Sequence, residues 1–314
     1  MPVLGRRKTT ELVRTDIAEG RASGFENSPP AWYPRSTRRG GLLEACANPA
    51  CDSGWLHLWR SHSAPIFEHG WSCSPVCSEA LVDAAVRREL DARVAGDAGY
   101  RHRIPLGLVM LEQGWINTTQ LRHALDSQKS AGVGRLGQWL VRQQGVSEQF
   151  VTRALGLQWS CPVLGLEFHD PQALAPLVPR FFLDAFGALP LRVAAGKVLY
   201  LGFQERLDPV LTLAVERMTG LRAESGLVRE SEFGPAHTRM LGAEFPEVEL
   251  VESSSSPVAA RVLARAIEHA RPVESRLVRV HDCLWLRMWR HKQMGPVADI
   301  DSVRDLICSV GARS

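Results

Sequence analysis

Between residues 104 and 160 the apolar positions recur at helical rather than strand spacing. Leu121, Leu125 and Gln128 stand at i, i+4 and i+7, and Val151, Leu155 and Gln158 repeat that arrangement, so each trio shares one helix face. A shorter apolar pair precedes each trio, Met110–Leu111 in one case and Leu140–Val141 in the other. A glycine turn follows each pair, at Gly114 or Gly145, and Asn117 and Ser147 then stand where a second helix needs an N-cap. The pattern predicts two helix pairs in succession. Earlier in the chain, two short strand-like runs, Gly54 to Trp59 and Pro65 to Phe67, precede a helix through Arg88 that Ser78 could cap. Later, a helix is expected from Ala259 to Ala270 and an apolar strand from Leu277 to Met288.

The two helix pairs are copies of one another. Pro105 through Gln128 aligns without gaps on Arg135 through Gln158, a 24-residue unit repeated at an offset of thirty. Leu106/Leu136, Gly107/Gly137, Gln113/Gln143, Ala124/Ala154, Leu125/Leu155 and Gln128/Gln158 are identical. Met110/Leu140, Leu111/Val141 and Leu121/Val151 agree in apolar character. Duplicated helix packing accounts for the apolar positions. It leaves unexplained why Leu-Gly opens both units and Gln closes both.

Composition shifts divide the rest. Residues 1–40 carry eight Arg or Lys against four acids with no sustained period, a disordered basic tail. A cysteine-rich module with its helix follows at 41–96, and Gly96 and Gly99 mark a linker. The tandem helices occupy 101–160 and a further segment runs to 245. The Ser-rich stretch in 246–257, with the solvated acids Glu247 and Glu249, reads as a second joint. A small helix–strand unit ends the chain at 258–314.

Four of the seven cysteines cluster as C-x4-C-x21-C-x3-C: Cys46, Cys51, Cys73 and Cys77. Four thiolates saturate tetrahedral Zn2+ and leave no open position, so such a site would be structural, in a treble-clef-like module. Four unrelated thiols are the alternative, and His57, His62 and His69 are available as substitute ligands or as surface histidines. Cys161, Cys283 and Cys308 stand alone in apolar settings and read as small buried hydrophobes. The formal charge of +3 gives no reason by itself to expect a nucleic-acid partner. Apolar runs fall short of the ~20 residues needed to span a bilayer, and the N-terminus lacks a secretory signal, so a cytoplasmic location is expected.

Residues 103–245 resemble the N-terminal domain of type II secretion and type IV pilus assembly ATPases, the GspE N-terminal or MshEN type. The resemblance is carried by a tandem motif of Arg-Leu-Gly, two apolar residues, a Gly, Leu spaced by four, and a closing Gln. It implies cyclic di-GMP as ligand, one motif for each half of the dinucleotide. The implied ligand residues are Leu106, Gly107, Met110, Leu111, Gly114, Leu121, Leu125 and Gln128 in the first unit. In the second they are Arg135, Leu136, Gly137, Leu140, Val141, Val151, Leu155 and Gln158. Arg suits guanine O6 and N7 or the phosphates, and glycine permits close backbone approach. Pro105 stands where the motif has Arg, with Arg103 two residues upstream, and Gly145 sits one place late. The resemblance also implies a small α/β subdomain from Asp170-Pro171 through Val198–Phe203 to a helix from Asp208-Pro209 to Thr219-Gly220.

The phosphate-cradling pattern G-x-x-x-x-G-K-[ST] of the motor domain is not found, since Gly196-Lys197 is followed by Val198. The sequence ends where a motor would begin, and 257–290 faintly resembles the start of one. The expected fold class is α+β: a treble-clef-like zinc module, a helical tandem-repeat subdomain, a small α/β subdomain and a short C-terminal α/β unit. The expected function is non-enzymatic, a regulatory adaptor with structural Zn2+ and cyclic di-GMP as ligand. A protein–protein scaffold on a secretion or pilus machine, with nucleotide binding lost, is the alternative.

Overall fold

The computed structural model describes residues 46–52, 64–92, 104–167, 169–204 and 206–311. The basic tail, the run from Gly54 to Trp59, His57, His62, the linker glycines and Arg103 lie outside these residues. The hairpin that is described pairs β1 (Ile66–Phe67) with β2 (Gly70–Trp71). It leads into α1 (Pro75–Asp91), which starts three residues earlier than Ser78. Ser74 is the cap, accepting the Cys77 amide at 3.3 Å, and Pro75 fits the first turn because its missing N–H would go unused there. Ser78 is instead buried in the helix, bonded to Ser72 at 2.5 Å and to the Glu268 carboxylate.

Four tandem helices follow: α2 (Leu106–Glu112), α3 (Thr118–Ala131), α4 (Leu136–Gln144) and α5 (Glu148–Trp159). They are interleaved. The first helix of each unit packs on the second helix of the other, α2 on α5 and α4 on α3. Next come α6 (Pro171–Leu174), α7 (Arg180–Phe186), β3 (Ala188–Ala194), β4 (Val198–Phe203), α8 (Pro209–Thr219), β5 (Arg222–Leu227) and α9 (Glu230–Leu241). Strands β3 and β4 are antiparallel, and α8 makes the crossover that lets β5 join β4 in parallel. Asp208 caps α8 through the Leu211 amide at 2.9 Å, and Gly220 ends it at φ +73°.

The last unit contains β6 (Glu247–Ser253), α10 (Ser256–Ala270), β7 (Glu274–Val280), β8 (Cys283–Trp289) and β9 (Val303–Val310), with strand order β6-β9-β8-β7. Two expectations change here. Residues 246–257 are not a joint: β6 pairs in parallel with β9 along its whole length, and Arg304 lies 3.3 Å from both Glu247 and Glu249. The apolar run from Leu277 to Met288 is two strands, because the chain turns at His281 (φ +51°) and Asp282.

Alternation along β7, β8 and β9 sends side chains to two different cores. Leu277, Leu284, Leu286 and Leu306 face Val82 and Val86 of α1 together with Leu263 and Ile267 of α10. Val278, Trp285, Trp289 and Ile307 join Phe182, Leu189, Leu199 and Met218 of the preceding α/β segment. The helix of the cysteine-rich module is therefore built into the C-terminal sheet's core. Backbone bonds from Ile66 to Pro272 (3.0 Å) and from Glu68 to Ser275 (2.9 Å) stitch the hairpin alongside β7. The protein is a mixed α+β fold, and no described helix is long and apolar enough to cross a membrane.

Candidate functional site

The two Leu-Gly pairs meet across the interleaved helices. A Cβ on Gly107 would lie 2.6 Å from Leu121 Cδ1 and 3.4 Å from Leu136 Cδ2. One on Gly137 would lie 2.7 Å from Val151 Cγ1 and 3.7 Å from Leu106 Cδ2. Each glycine thus lies at contact distance from the opening leucine of the opposite unit, and a side chain there would press on Leu121 or Val151 of its own unit's second helix. The closing glutamines complete the exchange. Gln128 Nε2 donates to the Gly134 carbonyl at 2.9 Å, and Gln158 Nε2 donates to the Ile104 carbonyl at 2.7 Å. Both carbonyls lie two residues ahead of a Leu-Gly pair. The repeated Leu-Gly and Gln are therefore the parts that lock the two copies together.

The sixteen implied ligand residues divide by environment. Met110 and Leu140 are fully buried between the helices, with Val151 mostly so, while Leu111 and Leu121 pack partly against that core. Gly114 is exposed at φ +67° and only shapes the turn. Leu106, Arg135, Leu136, Gly137, Val141, Val151, Leu155 and Gln158 line one cavity of about 500 Å³, a size that suits a small-molecule ligand. On the first unit, Pro105 supplies the α2 N-cap and Leu108 and Leu125 are exposed, at 53% and 44%.

The far wall comes from the α/β segment. Gln204 and Arg206 follow β4, and Glu230 and Ser231 open α9; with Gln138, Arg142, Glu148, Thr152 and Trp159 they complete the lining. Gln138 Nε2 reaches Glu230 Oε1 at 3.0 Å, and Glu148 Oε1 accepts the Ser231 amide at 2.8 Å. Those bonds engage both acids, while Arg135, Arg142 and Arg206 give the lining a cationic balance. The sequence carried no signal for Gln204 or Arg206, which lie about seventy residues beyond Arg135 and outside any repeat.

At the other end of the fold, the Sγ atoms of Cys46, Cys51, Cys73 and Cys77 all lie within 4.8 Å of one another. Cys51–Cys73 is 3.5 Å and Cys73–Cys77 3.6 Å, close to the edge of about 3.8 Å for four sulfurs around tetrahedral zinc. Asn48 Nδ2 donates to Cys77 Sγ at 3.3 Å, an orienting bond of the kind metal ligands receive from a second layer of residues. Burial pushes the Cys46 thiol up to about 12, and a cation held by all four sulfurs would reverse this by stabilising the thiolates. The donor set fits zinc. His69 lies in the hairpin turn at φ +68°. Cys161, Cys283 and Cys308 are half-buried or buried, with burial raising each thiol.

Among solved structures, one of MshE with cyclic di-GMP (cdg) is similar at 27% identity, covering 44% of this chain and 99% of that one, with a TM-score of 0.35. Two of the XpsE N-terminal domain are 23% and 19% identical, covering 43% and 45% of this chain and 92% and 99% of theirs, with TM-scores of 0.31 and 0.24. These likenesses cover less than half of this chain and nearly the whole of each solved one. No family model and no curated protein matches it. Among the described residues, the second copy of the motif lines a cavity, whereas Leu108 and Leu125 of the first copy are exposed.

Proposed function

We propose that this protein is a non-catalytic regulatory adaptor that binds cyclic di-GMP at the second tandem motif and docks on a secretion or pilus machine. One observation carries the ligand reading: a cavity of about 500 Å³ gathers Leu106 of the first unit with Arg135, Leu136, Gly137, Val141, Val151, Leu155 and Gln158 of the second. Arg135 is suited to guanine O6 and N7 or to a phosphate, and the leucine and valine side chains to the base faces. In titration calorimetry, cyclic di-GMP should bind at micromolar concentration. Arg135→Ala should weaken binding about tenfold to a hundredfold without lowering the melting temperature. No heat with the intact protein would remove the sensor reading, and measurable ATP hydrolysis would remove the non-catalytic one. The exposed Leu108, Leu125 and Leu157 favour a second reading, a protein-docking scaffold without nucleotide.

The four cysteines are read as a structural zinc centre, supported by their mutual distances and by Asn48. Metal analysis should find about one zinc per chain. Cys73→Ser should abolish it and destabilise the core that α1 shares with α10, seen as a lower unfolding midpoint. Four free thiols without metal would end the proposal.

A further inference from the structure

The cavity at the second motif does not stand alone. A wider cleft of about 790 Å³ adjoins it, and the two share Arg135, Gln138, Gln204 and Arg206 as common wall. Beyond that wall the cleft is lined by Gly134, by Phe186 and Gly187 at the end of α7, and by Phe233 of α9. Phe186 is half-buried, and its ring is held in place by Phe182 (centroids 6.0 Å) and His281 (4.7 Å). A Cβ on Gly187 would meet nothing within 4 Å, so the rim beside that ring is open. A compartment with aliphatic walls, a ridge with two guanidiniums, and a compartment with an aromatic wall follow one another. That order matches base, phosphates and second base in a dinucleotide. Among the described residues the first motif has no counterpart to Arg135: Pro105 has neither a guanidinium nor an N–H, and it stands at the helix start where Arg135 stands in the second unit.

Resting on the cyclic di-GMP reading above, we propose that the ligand is held asymmetrically. One guanine occupies the cavity of the second motif, the phosphates lie on the Arg135–Arg206 ridge, and the other guanine enters the Phe186 cleft instead of the first motif. The α/β segment is then half of the site, and binding ties it to the tandem helices. Stacking on or against an aromatic ring is tolerant of base orientation, which suits a second base that no longer meets a matching motif.

The test is titration with two probes, cyclic di-GMP and GMP, on the full chain. Phe186→Ala should weaken cyclic di-GMP about tenfold and leave GMP, which fills one compartment, unchanged. Arg206→Ala should weaken both, and Pro105→Arg should leave cyclic di-GMP affinity within about twofold. Phe186→Leu keeps the volume without the ring and controls for a folding defect; it should lose affinity for cyclic di-GMP while melting like the parent. Unchanged cyclic di-GMP affinity in Phe186→Ala and Arg206→Ala would overturn this inference and leave the parent reading standing. A tenfold gain from Pro105→Arg would do the same, in favour of the symmetric cradle. No binding of either probe to the unmodified protein would overturn both.

Discussion

Arg287 and Asp305 are 2% and 0% exposed, a charged pair inside the largest core. Such a pair persists only where every donor and acceptor is used, because desolvation of each ion costs several kcal/mol. The accounting here is nearly complete. Arg287 Nε and Nη2 each reach the carboxylate at 2.7 Å, while Nη1 donates to the Pro176 and Leu177 carbonyls at 2.7 and 3.0 Å. Trp285 Nε1 donates to Asp305 Oδ1 at 2.7 Å. Asp305→Ala would strand a buried guanidinium and should cost about 3–5 kcal/mol in urea unfolding. An Arg287→Met/Asp305→Leu double variant should recover only part, since the two carbonyls after α6 then lose their donor. Full recovery would show that the pair is dispensable to the docking of that segment.

Among the elements, the interleaving of the tandem helices makes each unit depend on the other. Gln158→Leu removes the donor that holds the Ile104 carbonyl ahead of α2, and Gln128→Leu removes its counterpart ahead of α4. Each should lower stability by about 1 kcal/mol, the usual net worth of one such bond. Gln158→Leu should also loosen the entry to Leu106 and Gly107, read as faster amide exchange at the start of α2, in the opposite unit from the substitution. Faster exchange confined to α5 would contradict the crosswise arrangement. These glutamines were visible in the sequence as repeated positions. Their partners were not, because a side chain's bond to a backbone carbonyl, six residues away for Gln128 and fifty-four for Gln158, leaves no periodic trace.

For the whole molecule, Glu89 of α1 is the junction. Its carboxylate is 1% exposed, accepts from both Arg217 nitrogens of α8 at 2.8 and 2.5 Å, from Arg88 at 2.9 and 3.0 Å, and from the Arg279 amide of β7 at 3.2 Å. Burial alone would push this carboxyl up; the Arg217 and Arg88 guanidiniums outweigh it and hold it below the usual carboxylate range. A depressed folded-state value means stability that is full above the unfolded-state value of about 4.3 and lost as the pH falls through the folded one. The unfolding midpoint should therefore drop on acidification below about pH 4. Glu89→Gln should cost on the order of 3 kcal/mol at pH 7 and flatten that acid limb. An acid limb of equal steepness in the variant would place the titration elsewhere. The sequence by itself determined the helix pairs, the glycine turns, the duplication and the four-cysteine spacing, because each is written in local periodicity or in residue types with one dominant chemistry. It misjudged 246–257, where serines and acids read as a joint, since a polar edge strand is recognisable only by the partner β9 that pairs with it. The sharing of one core by α1 and α10, the second wall of the cavity beside Arg135 and the Glu89 junction were decided by tertiary structure alone. Each joins residues about seventy to nearly two hundred positions apart, and packing at that separation depends on which surfaces the folded chain brings together.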